Sequence, residues 1–117
     1  GISQSSGIFS FPSTGHYLIQ FIALFTNSSA EERYCKAFIE VTEDNSSYDN
    51  ANDTRTSLAG SSSQRNGSVH CSHVFDVTNT TNDKFKVGVD HSDSNTTIMG
   101  DSNVNETYII VTKLADT

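Results

Sequence analysis

Apolar residues in this chain gather into short alternating runs, and polar turn-forming stretches separate them. Residues 7–11 read as a short strand that ends at the turn Pro12-Ser13-Thr14-Gly15, since Pro and Gly both interrupt regular structure. Residues 16–26 form the strongest strand of the sequence. One phase of it is Tyr17, Ile19, Phe21, Ala23 and Phe25; the other is His16, Leu18, Gln20, Ile22 and Leu24. Side chains alternate between faces along a strand, so a strand largely apolar in both phases is covered on both faces. A sandwich core is one cover. The other has to come from elsewhere, and a partner subunit is the simplest candidate.

Residues 27–32 read as a polar loop. Residues 34–42 are the third strand, with Cys35, Ala37, Ile39 and Val41 in one phase. Residues 43–68 are polar save Tyr48, Ala51, Leu58 and Ala59, which predicts a long loop hiding one weak edge strand near residues 54–59. A loop of that length is either a functional segment or a plain surface excursion. Val69, Cys71, His73, Phe75 and Val77 alternate, and Phe85, Val87 and Val89 alternate again after the turn at 79–83, so these two runs read as a hairpin. Residues 97–99 are a short strand and residues 107–114 the last one. No helical period occurs. Strands at roughly ten-residue spacing predict an all-β antiparallel sandwich or barrel.

Composition supports strands over disorder. The 18 Ser, 13 Thr and 10 Asn make the chain polar, yet 8 Val and 8 Ile stand against only 4 Leu, a β-branched excess that favours strands. At 117 residues the chain is one domain, residues 1–117. Seven basic against fourteen acidic residues give a net charge of −7. No Lys/Arg cluster is present, which argues against nucleic acid and against a polybasic membrane anchor as partners. The longest near-continuous apolar run, residues 17–25, is too short to span a bilayer, so no membrane insertion is expected.

Candidate chemistry is sparse. Nucleophile-elbow, phosphate-loop and zinc-protease motifs are absent, and no specific carboxylate pair stands out, so a non-enzymatic domain without cofactor is expected. Cys35 and Cys71 each sit in an apolar phase. They are a candidate disulfide if their strands are adjacent, and two small core side chains otherwise. A zinc site of Cys35, Cys71 and His73 is conceivable, and calcium could use Asp90, Asp93 and Asp101, but core thiols and solvated loop carboxylates account for them more simply. Asn-x-Ser/Thr occurs at Asn27, Asn45, Asn52, Asn66, Asn79, Asn95 and Asn105. These are glycan acceptors in a secreted eukaryotic protein and turn chemistry in any other setting.

The run from Gly7 through Phe-Pro-Ser-Thr-Gly-His-Tyr to Phe21, the segment Val74-Phe75-Asp76-Val77 with Asp83-Lys84-Phe85-Lys86-Val87, and residues 106–114 resemble, in this order, the tumour-necrosis-factor-like jelly roll shared with complement globular heads. Phrases such as Thr-Glu-Asp-Asn-Ser-Ser-Tyr and the ending Lys-Leu-Ala-Asp-Thr are similar to heads of marine phage virion proteins. The resemblance implies a homotrimeric jelly-roll head on the virion surface, at a tail fibre, knob or capsid appendage, contacting other virion proteins and a host cell-surface glycan or protein. It implies a trimer axis lined by Leu18, Gln20, Ile22, His70, Ser72, Tyr108 and Ile110, and a core of Tyr17, Ile19, Phe21, Phe75, Val77, Val87, Ile109 and Val111. Family heads begin with further strands before Gly7, so this chain is expected to be the C-terminal part of a longer one, its first strand missing. The alternatives are a capsid decoration or trimerisation module without ligand, and a secreted eukaryotic complement-like or cytokine-like binding domain.

Overall fold

A computed structural model describes residues 1–29, 31–60 and 63–117. Ala30, in the loop expected over 27–32, and Ser61 and Ser62, in the stretch 43–68, lie outside the described residues. The strands are β1 (Ser3–Ser5), β2 (Ile8–Ser10), β3 (Gly15–Asn27), β4 (Glu32–Thr42), β5 (Asp49–Leu58), β6 (Arg65–Val77), β7 (Lys84–His91), β8 (Thr97–Ile98) and β9 (Tyr108–Ala115). Two antiparallel sheets pack face to face. One runs β1-β2-β7-β4-β5; in the other, β3 is flanked by β6 on one side and by β8 and β9 on the other. The architecture is an all-β sandwich consistent with a jelly roll.

Two expectations need correction. The stretch 43–68 is not mainly a loop: β5 occupies ten of its residues and β6 begins at Arg65. The weak edge strand expected near 54–59 is present, but it begins at Asp49, because its first half is Asn, Asp and Thr and carries no period-two apolar trace. Nor do β6 and β7 form a hairpin. They belong to opposite sheets, and residues 78–83 are an arch between them. Asp83 holds that arch: its buried carboxylate accepts the backbone N–H groups of Thr78 and Asn79 at 2.8 and 2.9 Å. Alternation and a short connection are common to hairpins and arches, so the sequence pattern does not separate them.

The core forms where odd-numbered residues of β3 and β6 meet the inner face of β4 and β7. Tyr17, Ile19, Phe21, Phe75 and Val77 are buried there, with Phe25, Ile39 and Phe85, and Val87, Ile109 and Val111 pack against them. Phe11, just after β2, is wedged among Tyr17, Phe75 and Phe85 at ring distances of 4.7 to 5.6 Å. Cys35 on β4 and Cys71 on β6 are buried in this core as free thiols, in different sheets and unbridged. Burial, reinforced by the charge of Glu32, raises the Cys35 thiol to about 11. Burial, with Asp53 adding to it, raises Cys71 to about 11. Both therefore stay protonated and inert at neutral pH.

The narrow sides of the sandwich are closed by polar side chains. Ser72 on the free edge of β6 donates its N–H to Asn52 Oδ1 of β5, and Thr54 Oγ1 donates to His70 O. At the opposite end Glu32 is fully buried at the start of β4. Its Oε1 accepts Ser92 N at 2.7 Å and the Ser92 hydroxyl, and Oε2 accepts Asp93 N at 3.0 Å and the Thr96 hydroxyl. Asn27 Nδ2 donates to Thr96 Oγ1 at 2.9 Å. One carboxylate thus ties β4 and the end of β3 to the β7–β8 connection. No cation pairs with it among the described residues; hydroxyl and amide donors neutralise it.

Burial alone would raise the Glu32 pKa, but the donors of Ser92, Thr96 and Asp93 outweigh it and bring the carboxyl from 4.5 down to about 2. A value lower in the folded than in the unfolded chain stabilises the fold above pH 4.5, and this contribution is lost as pH falls toward 2. Glu32→Gln should cost on the order of 3 kcal/mol at neutral pH. It should also flatten the fall of the melting temperature between pH 4.5 and 2, read by circular dichroism; an unchanged slope would refute the role given to Glu32. For the thiols, a disulfide-exchange reagent at pH 7.5 should leave Cys35 and Cys71 untouched in the native protein and label both in denaturant.

Candidate interaction surfaces

The two outer faces of the sandwich differ in chemistry. On the β2-β7-β4-β5 sheet, β4 presents Tyr34, Lys36, Phe38 and Glu40, and β7 presents Lys84, Lys86, Gly88 and Asp90. These residues satisfy one another. Lys86 Nζ lies 3.6 Å from Glu40 and 4.3 Å above the Tyr48 ring. Tyr34 donates its hydroxyl to Asp90, and Lys36 sits over Phe38. The Phe38 ring lies against Gly88, where an added Cβ would clash with it. This is a solvated face whose apolar rings are already covered.

The other outer face is not covered in this way. The even positions of β3 and β6 point outward, and their cross-strand partners on β9 point with them. Pairing register lays them in rows: Val74, Leu18 and Thr112; then Ser72, Gln20 and Ile110; then His70, Ile22 and Tyr108. Leu24 continues the surface. All seven residues that the resemblance placed on an axis, Leu18, Gln20, Ile22, His70, Ser72, Tyr108 and Ile110, thus lie on one sheet face in adjacent rows. Val74 is 55% exposed and Ile110 43% exposed. Leu18, Gln20, Ile22, Leu24 and Tyr108 are half-buried, and His70 and Ser72 are exposed. Val74 belongs to this surface and was missed by sequence reading, although its place in the even phase of β6 was enough to find it. The lower end of the face is polar, with His16 Nδ1 3.6 Å from Asp76.

Metal chemistry has little to build on. Cys35, Cys71 and His73 do not group: among the described residues no three His, Cys, Asp or Glu side chains come together as a metal site. His73 instead packs beside Phe75, and burial lowers its pKa, so it is neutral at pH 7. Asp93 and Asp101 accept backbone N–H groups of their own turns, from Asn95 and Asn103 at 2.7 Å each. Several of the sequon asparagines are likewise engaged in turns and edges. Asn27 is buried and donates to Thr96, Asn52 accepts Ser72 N, and Asn79 Oδ1 accepts the N–H groups of Thr81 and Asn82.

A third feature opens on the narrow side where β5 and β6 part. A cleft of about 600 Å³ lies between the β4–β5 connection and the end of β6. Val41 and Phe75 are apolar residues of its lining, and Glu43, Asp44, Asp49 and Asp76 give it four carboxylates. Asp44 is held well down, at about 2, by the backbone N–H groups of Ser47 and Ser46 and the Thr42 hydroxyl. Compared with known proteins, the chain matches no protein-family model and no curated protein.

Proposed function

We propose that this domain is a non-enzymatic, tumour-necrosis-factor-like jelly-roll head that assembles as a homotrimer and serves as a structural or host-attachment module on a phage virion. The observation that carries the reading is the largely aliphatic stretch of the outer face of the β6-β3-β9 sheet, above its polar His16–Asp76 end. Leu18, Ile22, Leu24, Val74, Tyr108 and Ile110 make a continuous patch on one side of a sandwich whose other side is charged. Contiguous exposed apolar surface on an otherwise acidic, polar domain marks an association face. Gln20 and Ser72 share one row of it, and copies related by symmetry supply the hydrogen-bond partners such residues need when buried.

The virion setting rests on the sequence resemblance alone. In that setting the mechanism is avidity: three weak sites held at fixed spacing raise apparent affinity without new contacts. Polar surfaces bearing Asn, Ser and Tyr at the sandwich ends suit hydrogen-bonded recognition of a glycan or protein on a host cell.

Light scattering should give a mass near three times 12.7 kDa. Ile22→Asp puts a charge at the middle of the aliphatic rows. It removes about 2 kcal/mol of burial per copy and adds a desolvation cost, so dissociation should strengthen by two orders of magnitude or more, roughly. Ser57→Asp on the opposite sheet should leave the mass unchanged. A wild-type monomer, or an Ile22→Asp variant that keeps the wild-type mass, would sink the trimer.

A further inference from the structure

The free edge of β6 is capped by side chains of β5 at its middle and is uncapped toward its C-terminal end. Backbone groups of β3 at odd positions face β6, because Leu24, an even position, gives its N–H to Thr107 and takes Met99 N on the other side. The antiparallel register then turns the N–H and C=O of even β6 residues away from β3. Four of these residues matter. His70 O accepts Thr54 and Ser72 N donates to Asn52, both from β5; past the end of the strand, Thr78 N donates to Asp83. Between them, the backbones of Val74 and Asp76 have no partner among the described residues. That unpaired step borders the 600 Å³ cleft, where the edges of the two sheets part.

We propose that this step of β6 is a strand-addition site for an extended, basic peptide segment of a partner protein. The peptide backbone would pair with Val74 and Asp76, its apolar side chains would enter the cleft against Val41 and Phe75, and its Lys or Arg side chains would meet the surrounding carboxylates. Three observations converge on that occupant. An unpaired edge is a ready template for another strand, and the β5 side chains that cap His70 and Ser72 do not reach Val74 and Asp76. The cleft is of the size that holds ligand side chains. Its charge is one-sided: Glu43 and Asp49 have no ion-pair partner among the described residues, Asp76 has only His16, and no Lys or Arg lines it. A second copy is a poor occupant, since it would bring the same carboxylates and a net charge of −7 to the same edge. The site is entered from the narrow side of the sandwich and shares with the outer face only Val74, whose side chain borders both.

The test is a titration of the isotope-labelled protein with acetyl-Lys-Val-Lys-Val-Lys-amide, followed by the backbone amide signals of Val74 and Asp76. Saturable shifts centred on these two amides are expected. The same peptide N-methylated at its central amides should bind about tenfold more weakly, because two backbone hydrogen bonds are lost while the protein is untouched. Asp49→Asn with Asp76→Asn should weaken binding about fivefold, as should added salt. The Glu-Val-Glu-Val-Glu counterpart should not bind. Absence of shifts at Val74 and Asp76, equal binding of the N-methylated peptide, or equal binding of the acidic one would overturn the proposal. So would a concentration-dependent dimer abolished by Val74→Pro, which would give the edge to a second copy. Repeating the titration on Ile22→Asp separates the two readings: the peptide should bind that variant as it binds wild type, and binding by the variant alone would mean that self-association covers the edge and would overturn the site.

Discussion

A strand that is apolar on both faces cannot be satisfied by one core, and β3 is such a strand. Thirteen residues at about 3.3 Å each carry it roughly 40 Å, most of the 50 Å length of the sandwich. Its odd positions are buried against the opposite sheet, and its even positions stand half-covered between β6 and β9. Everything else is arranged around that fact. Strands β6 and β9 flank β3, β4 and β7 cap its inner face, and the outward rows that its register creates form a broad, largely apolar surface. The opposite sheet can be charged on its outer face because it has no comparable second apolar phase. Where it does carry rings, they are covered locally, Phe38 by Gly88 and Lys36, and Tyr48 by Lys86.

What the sequence disclosed, and what it hid, follows from which forces leave a periodic trace. Burial of alternate side chains does, so β3, β4, β6, β7 and β9 were legible from Tyr17, Ile39, Cys71, Phe85 and Ile109 and their neighbours. Edge strands held by backbone pairing do not. Strand β5 is written in Asn, Asp and Thr because its task is to pair with β4 and to hand Asn52 and Thr54 to β6. Strand β1, Ser-Gln-Ser, has no apolar phase at all. Partner choice was also hidden. Whether β6 turns back on itself or arches to the other sheet depends on the geometry of residues 78–83, which Asp83 fixes through two N–H groups and no pattern announces.

The proposed association face was legible in its members and the proposed edge site was not. Leu18 and Ile22 declare a need for cover in any reading of β3. Val74 and Asp76 declare nothing, since their backbones carry the feature and every residue has the same backbone. Glu32 shows the same gap in polar form. It reads as the end of an acidic loop, yet it is more deeply buried than many of the aliphatic residues. A buried carboxylate without a cation survives only where enough donors converge on it, and Ser92, Asp93 and Thr96 are some sixty residues away in sequence.

The arching connections have a further consequence, for how the chain reaches this state. Of the strands adjacent in sequence, only β1 with β2 and β4 with β5 pair among the described residues. The remaining ladders join remote segments, such as β3 with β9 and β2 with β7. A local seed exists in the β4–β5 hairpin, but β3 can acquire neither of its long neighbours until distant chain has been brought to it. Topologies of this kind fold in milliseconds to seconds rather than microseconds. During that interval the double-sided apolar strand is exposed on both faces. The time before β6 and β9 arrive is therefore when the chain is most open to mispairing, and the acidic charge on its other segments is the feature best placed to keep unfinished copies apart.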